Sequence, residues 1–112
     1  MKVPPFTLVR QNQEIGSEIE SEVLKVLKGG QYIGGQEITQ FEENFSSLIG
    51  VNYTIGCNSG TDALILALRA FDIGEGDEVI TSSFSFFATA EAISAVGANP
   101  ILVDIDPETY LM

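Results

Sequence analysis

The sequence contains no histidine, no tryptophan, one cysteine and only five basic residues. Without histidine, the chain cannot build a His-ligated metal site, a Ser-His-Asp triad or a histidine proton shuttle from its own residues. One cysteine excludes an internal disulfide framework. Sixteen acidic residues against five basic ones give a net charge of -11. This charge argues against a nucleic-acid-binding surface and against docking to an anionic membrane through a basic face.

Long hydrophobic runs are also lacking. No run approaches the roughly 18 residues that a membrane-spanning helix needs, and the segment 1–10 has no apolar core of signal-peptide length. We therefore expect no membrane association and a reducing, cytoplasmic setting. The 112 residues suffice for one domain at most, and a hydrophobic fraction of 45% is ordinary for a globular protein.

Hydrophobic periodicity predicts two leading helices. Residues 1–12 are expected to be extended, because Pro4 and Pro5 disfavour a helix. Apolar residues then recur at helical spacing over residues 14–28 and 37–49. Glycines that accept left-handed backbone geometry follow both segments and predict where the helices end, at Gly29-Gly30 and at Gly50.

Beyond Gly50 the pattern alternates between strand and helix. The predicted order is a strand at 51–57, a helix at 62–71, a strand at 78–82, a helix at 88–96 and a strand at 100–105. Each connection between strands holds a helix, so the three strands should be parallel. The predicted class is α/β, with residues 1–50 leading into a β-α-β-α-β portion at 51–112 of one domain. Three strands would leave both sheet edges open, so we expect the chain to be truncated.

The stretch Asn58-Ser59-Gly60-Thr61 is a candidate anion site. It joins a predicted strand to a predicted helix, and ligands of open α/β sheets bind at the carboxyl ends of strands. The first backbone N–H groups of a helix are unpaired and carry partial positive charge, so a phosphate fits there. Plain capping of the helix by Asn58 or Ser59 is the competing interpretation, and the pattern alone leaves both open.

Three phenylalanines, Phe84, Phe86 and Phe87, follow the next predicted strand. They are either core residues or an aromatic platform for a planar ring. After the last strand, Asp104 and Asp106 could bind a metal or serve acid-base chemistry, although a solvated strand end explains them as well. Cys57, at the end of a predicted strand, is expected to be a buried and inert thiol.

These residues together resemble the N-terminal part of the DegT/DnrJ/EryC1/StrS family of pyridoxal-phosphate-dependent sugar aminotransferases. The resemblance extends over almost the whole chain, and it is the combination in this order that is specific. The matching segments are Gly34-Gly35-Gln36-Glu37-Ile38, Phe41-Glu42-Glu43-Asn44-Phe45, Asn58-Ser59-Gly60-Thr61-Asp62-Ala63-Leu64, Gly74-Glu75-Gly76-Asp77-Glu78-Val79-Ile80-Thr81, Phe86 with Ala88-Thr89, and Gly97-Ala98 through Val103-Asp104-Ile105-Asp106.

The resemblance implies part of the large domain of a fold-type-I, aspartate-aminotransferase-like enzyme. It implies that Gly60 and Thr61 hold the phosphate of pyridoxal 5'-phosphate with Ser59 close by, and that Phe86 stacks on the pyridine ring. It places Tyr32 near the substrate region. The implied substrates are a nucleotide-linked keto-sugar and glutamate as the amino donor, and the implied assembly is a homodimer of the full-length enzyme.

The resemblance also implies what the chain does not supply. The lysine and the acid on which the family's chemistry depends lie downstream of the matching region, so we expect no catalytic residue and no metal ligand in this chain. Two alternatives stay open at this point. One is a related sugar dehydratase in which histidine replaces that lysine, and the other is a small non-catalytic α/β domain that binds a phosphorylated ligand or a partner.

Overall fold

A computed structural model describes residues 4–112, and the chain divides into two compact units, Met1–Gly56 and Cys57–Met112. We call these the first and the second unit. The elements are the helices α1 (Val9–Gly29), α2 (Gln36–Ile49), α3 (Gly60–Ala70) and α4 (Ala88–Ala95), and the strands β1 (Glu78–Ser82) and β2 (Asn99–Val103). A single domain over 1–112 with an internal division after residue 50 stays a prediction.

Helix α1 begins at Val9, so the prediction of an extended segment is wrong for residues 9–12, while residues 1–3 lie outside the described residues. Proline restricts its own backbone and that of the residue before it, which leaves the chain free to turn soon after Pro5. The first bonds of the helix then form locally: the Asn12 amide donates to the Leu8 carbonyl at 2.8 Å. The Thr7 hydroxyl accepts from the Val9 amide at 3.3 Å.

Both leading helices end at the predicted glycines. Gly30 and Gly50 adopt left-handed backbone angles, with φ of 70° and 72°. Their amides donate to the carbonyls of Val26 at 3.0 Å and Ser46 at 2.9 Å, which pairs helix-terminal carbonyls that would otherwise lack a donor. The predicted ends of these two helices are therefore confirmed.

The predicted strand at 51–57 is wrong, because this segment has no strand conformation. A strand needs a neighbour with which to exchange backbone hydrogen bonds, and the only ladder within residues 4–112 joins β1 to β2. The segment is instead bonded to α2. The Ser46 hydroxyl donates to the Thr54 hydroxyl at 2.7 Å, and the Gly56 amide donates to a Glu42 carboxylate oxygen at 2.7 Å.

The second unit contains a two-stranded parallel sheet. Strands β1 and β2 pair in register from Glu78–Asn99 to Ser82–Val103, so the predicted parallel pairing is confirmed with two strands in place of three. Helix α4 connects them, packs on both strands and contacts α3. Ala92 is fully buried on α4, and its small side chain lets the helix approach its neighbours closely. The buried residues of this unit are Thr81, Ala88, Ala92, Ile93 and Ala98.

The apolar faces of the first unit are exposed. Helices α1 and α2 form with the predicted periodicity, but they do not pack against each other. Most large side chains of these faces are exposed, and those between two-fifths and four-fifths accessible include Ile19, Val23, Leu27, Phe41 and Leu48. None of the helices within residues 4–112 combines the length and apolar character needed to cross a membrane.

Candidate functional site

The N-terminus of α3 forms the predicted anion loop. Ser59 is the N-cap residue with extended backbone angles, and its hydroxyl accepts from the Asp62 amide at 3.1 Å. The same hydroxyl lies 3.3 Å from an Asp62 carboxylate oxygen, to which it donates. Capping by Ser59 is thus confirmed. It satisfies one of the free donors at this helix end and leaves others available.

The amides of Gly60 and Thr61 are those available donors, since neither donates a hydrogen bond within residues 4–112. A Cβ placed on Gly60 would meet no neighbouring group within 4 Å, so the surroundings of this residue at the helix end are uncrowded. Unpaired amides and the positive end of the helix dipole together favour an anion. The Asp62 carboxylate in the first turn opposes a second negative charge. On balance this donor set fits a phosphate group bound through the backbone.

The aromatic loop after β1 is exposed, and core packing of its three phenylalanines is therefore wrong. Phe84, Phe86 and Phe87 expose 69%, 82% and 74% of their surface. They lie beyond the end of β1, whereas the sheet is covered by Ala88, Ala92 and Ile93 of α4. The Phe86 carbonyl accepts from the Thr89 amide at 3.1 Å. The backbone of Phe86 is thus held by a hydrogen bond while its ring is accessible. An accessible ring of this kind can stack on a planar group.

A cavity of about 270 Å³ lies beside Phe86. Its walls combine hydroxyl side chains with two aromatic rings, and the Ser85 and Thr89 hydroxyls are 2.9 Å apart. A ring that stacks on Phe86 would find polar partners at its edge here. The lining residues are Ser82, Ser83, Ser85, Phe86, Phe87, Thr89, Ala90 and Leu102.

The two aspartates after β2 have separate structural tasks. The Asp104 carboxylate accepts from the Ile105 amide at 2.8 Å. One Asp106 oxygen accepts from the Thr109 amide at 2.8 Å, from the Thr109 hydroxyl at 3.0 Å and from the Glu108 amide at 3.0 Å. These bonds, the Thr109 amide first, hold the pKa of the Asp106 carboxyl below its ordinary value. Asp106 therefore organises a turn as an ionised group.

Two other predicted residues lie apart from these loops. Cys57 is exposed, so its predicted burial is wrong. The strand that was expected to enclose the thiol does not form, and the Sγ atom instead lies 3.3 Å from the Ser59 carbonyl. Tyr32, in the first unit, is largely exposed, and its hydroxyl donates to the Leu27 carbonyl at 3.2 Å. This bond ties the loop between α1 and α2 to the last turns of α1.

A larger cavity, of about 550 Å³, contains none of the predicted site residues. It lies in the first unit between α2 and the segment that follows it, and is lined in part by Thr39, Glu43 and Tyr53. The hydroxyls of Ser46 and Thr54 bond to each other there. Its polar groups are thus partly engaged, and its size does not make it the functional site.

The loops that follow β1 and β2 lie next to each other. They contain Tyr110, a residue that the sequence analysis did not single out. The Ser83 amide donates to the Val103 carbonyl at 2.9 Å. The ring of Tyr110 lies on Phe84, with a centroid distance of 5.8 Å. The run Asp106-Pro107-Glu108-Thr109 is a turn signal that could have indicated this return of the chain. No hydrogen bond within residues 4–112 connects the α3 N-terminus to the aromatic loop.

Known proteins are similar to this chain over nearly all of its length. The model of the DegT/DnrJ/EryC1/StrS aminotransferase family matches residues 13–112. A relative from Pseudomonas aeruginosa, UDP-2-acetamido-2-deoxy-3-oxo-D-glucuronate aminotransferase, is 45% identical over 103 residues, which are 92% of this chain and 29% of the relative.

Solved structures agree with the family match. A DegT DnrJ EryC1 StrS aminotransferase from Brucella abortus has a TM-score of 0.91 and 38% identity, over 97% of this chain and 29% of that one. The Bacillus subtilis protein ntda with bound cofactor PMP has a TM-score of 0.87 and 39% identity, over 96% of this chain and 25% of that one. The chain thus spans less than a third of these proteins. Within that span it has their fold, and it belongs to the DegT/DnrJ/EryC1/StrS aminotransferase family.

Proposed function

We propose that this chain supplies the phosphate-binding and ring-stacking part of a pyridoxal 5'-phosphate site. The enzyme to which it belongs would transfer an amino group from glutamate to a nucleotide-linked keto-sugar. The observation that carries this proposal is the pair of unpartnered amides at the α3 N-terminus, those of Gly60 and Thr61, beside an uncrowded glycine. An exposed Phe86 ring in the same unit supports it.

Each residue of the chain has a distinct task in this proposal. The amides of Gly60 and Thr61 donate to phosphate oxygens, and the Thr61 hydroxyl adds a further donor. Ser59 holds the helix end in place through its bond to the Asp62 amide. Phe86 covers one face of the ring and excludes water from it. When bound, pyridoxal phosphate supplies the electron-withdrawing ring that amino-group transfer requires.

The decisive experiment is a binding titration of the chain with pyridoxal 5'-phosphate by ultrafiltration. Phe86→Leu should weaken binding about 2- to 10-fold through loss of stacking, and Thr61→Val should weaken it about 2- to 10-fold through loss of one hydrogen bond. Phe71→Leu is the matched control, because Phe71 is an exposed phenylalanine at the opposite end of α3. Equal affinities for wild type, Phe86→Leu and Thr61→Val would refute the proposed site.

We further propose that none of the described lysines is the residue to which the cofactor attaches. Lys25 and Lys28 lie on the exposed surface of α1, and Lys25 pairs with Glu22. Incubation with pyridoxal 5'-phosphate followed by borohydride reduction should give no stoichiometric adduct on a single lysine. Mass spectrometry of the peptides would show such an adduct, and its presence would contradict this part of the proposal.

For the complete enzyme we propose a cytoplasmic homodimer. The exposed apolar faces of α1 and α2 support this arrangement, because uncovered faces of this kind are typical of surfaces that bind other protein. Sedimentation of the complete enzyme would test it, and a monomer at working concentration would contradict it.

A further inference from the structure

The Phe86 loop is held at both ends by hydrogen bonds. At its start, the Ser83 amide donates to the Val103 carbonyl at 2.9 Å, and the Phe84 amide donates to the Ser82 hydroxyl at 3.0 Å. At its end, the Thr89 amide donates to the Phe86 carbonyl at 3.1 Å. These bonds fix where the loop begins and ends, and side-chain contacts must fix the path between them.

Tyr110 supplies such a contact from the neighbouring loop. Its ring lies 5.8 Å from that of Phe84, and the two planes are inclined by 38°. This separation is within the range of favourable aromatic pairs. Since Phe84 is two residues before Phe86, the pair acts directly on the loop that carries the candidate stacking ring.

The backbone at Tyr110 is itself fixed in an unusual conformation. Its φ is 59°, a left-handed angle that L residues with side chains rarely adopt. The Tyr110 amide donates to the Asp106 carbonyl at 2.9 Å, and the Asp106 amide donates to the Leu111 carbonyl at 2.9 Å. The Asp106 carboxylate closes the same turn through Thr109. The direction of the Tyr110 ring is thus set by the turn, and strained residues held in this way often serve a site.

We propose that Tyr110 is a positioning residue, which braces Phe84 and thereby holds Phe86 in the orientation that stacks on the cofactor ring. This inference rests on the proposed function of Phe86. The ring of Tyr110 carries the effect, since it is the ring that lies beside Phe84. The aromatic partner of Tyr110 is Phe84 and not Phe86, so Tyr110 would act through Phe84.

The first measurement needs no ligand. Amide hydrogen exchange at Ser83, Phe84 and Thr89, whose amides donate the bonds that hold the loop, should accelerate about 2- to 10-fold in Tyr110→Leu, the factor that loss of one aromatic pair allows. Tyr110→Phe should exchange like wild type, because it keeps the ring. Tyr53→Leu is the matched control, since Tyr53 is an exposed tyrosine of the first unit. Unchanged exchange in Tyr110→Leu, or acceleration in Tyr110→Phe, would overturn the inference.

The second measurement distinguishes an effect on binding of the cofactor ring from an effect on binding of its phosphate. Tyr110→Leu should weaken binding of pyridoxal 5'-phosphate about 2- to 10-fold and leave competition by inorganic phosphate unchanged, whereas general damage to the fold would weaken both. If Phe86→Leu weakens binding and Tyr110→Leu does not, the brace is refuted and the proposed site stands. If both variants bind like wild type, stacking by Phe86 fails, and the inference that rests on it fails with it.

Discussion

The two units differ in that, among residues 4–112, only the second buries apolar side chains, although it also leaves others such as Ile80 and Leu102 exposed. In the second unit, α4 buries Ala92 and Ile93 against the sheet and α3. In the first unit, the large apolar residues of α1 and α2 are exposed, and among its described residues only Gly16 is buried. Helices satisfy their backbone hydrogen bonds internally, so α1 and α2 can form without a covered face. Tertiary packing, by contrast, stabilises the second unit.

The largest expected effect tests this difference with one substitution placed in each unit. Ile93 on α4 is 3% exposed and Ile19 on α1 is 48% exposed. Ile93→Ala should lower the free energy of unfolding of the second unit by about 2–5 kcal/mol, through lost burial and a cavity. Ile19→Ala should change that of the first unit by less than about 0.5 kcal/mol, because the site is at the surface and alanine favours helix.

Hydrogen exchange resolved by residue would measure both units in the same sample. The amides of α4 and β2 should lose protection in Ile93→Ala, and those of α1 should be unaffected by either variant. Comparable losses from the two substitutions would show that the apolar face of α1 is covered in solution. The contrast between the units would then be wrong.

The same contrast explains which elements the sequence could predict. The ends of α1 and α2 follow from glycines next to the helix, and β1 is found at its predicted bounds. Residues 51–57 have strand composition like β2, yet only β2 lies beside another strand. Strand formation depends on a distant partner that local pattern cannot reveal. For the candidate site, the sequence predicted capping of α3 by Asn58 or Ser59, and Ser59 is the cap, whereas the contact of Tyr110 depends on a chain reversal.

The next effect concerns the helix caps. Helix α3 has a side-chain cap, whereas the N-cap residues of α1 and α2, Leu8 and Gly35, accept no side-chain cap hydrogen bond. Ser59→Ala should lower the free energy of unfolding of the second unit by about 0.5–2 kcal/mol, and Ser59→Gly by only a few tenths. Urea unfolding followed at the α3 amides would measure the difference. No loss of stability in Ser59→Ala would mean that the hydroxyl does not cap α3.

The smallest expected effect is the pH dependence of the turn after β2, which local hydrogen bonds stabilise. It compares this turn with the buried residues of the same unit. Those bonds lower the folded-state pKa of Asp106, so the carboxylate stabilises the turn above the ordinary aspartate pKa. That contribution falls as the pH drops from about 3.9 through the lower folded value. NMR shifts of the Glu108 and Thr109 amides should therefore move in this acid range, and Asp106→Asn should abolish the movement. Because Asp106 is fully exposed, the buried residues around Ile93 should keep their protection throughout. If the turn and the protection around Ile93 were lost at the same pH, the turn and the core would unfold as one cooperative element.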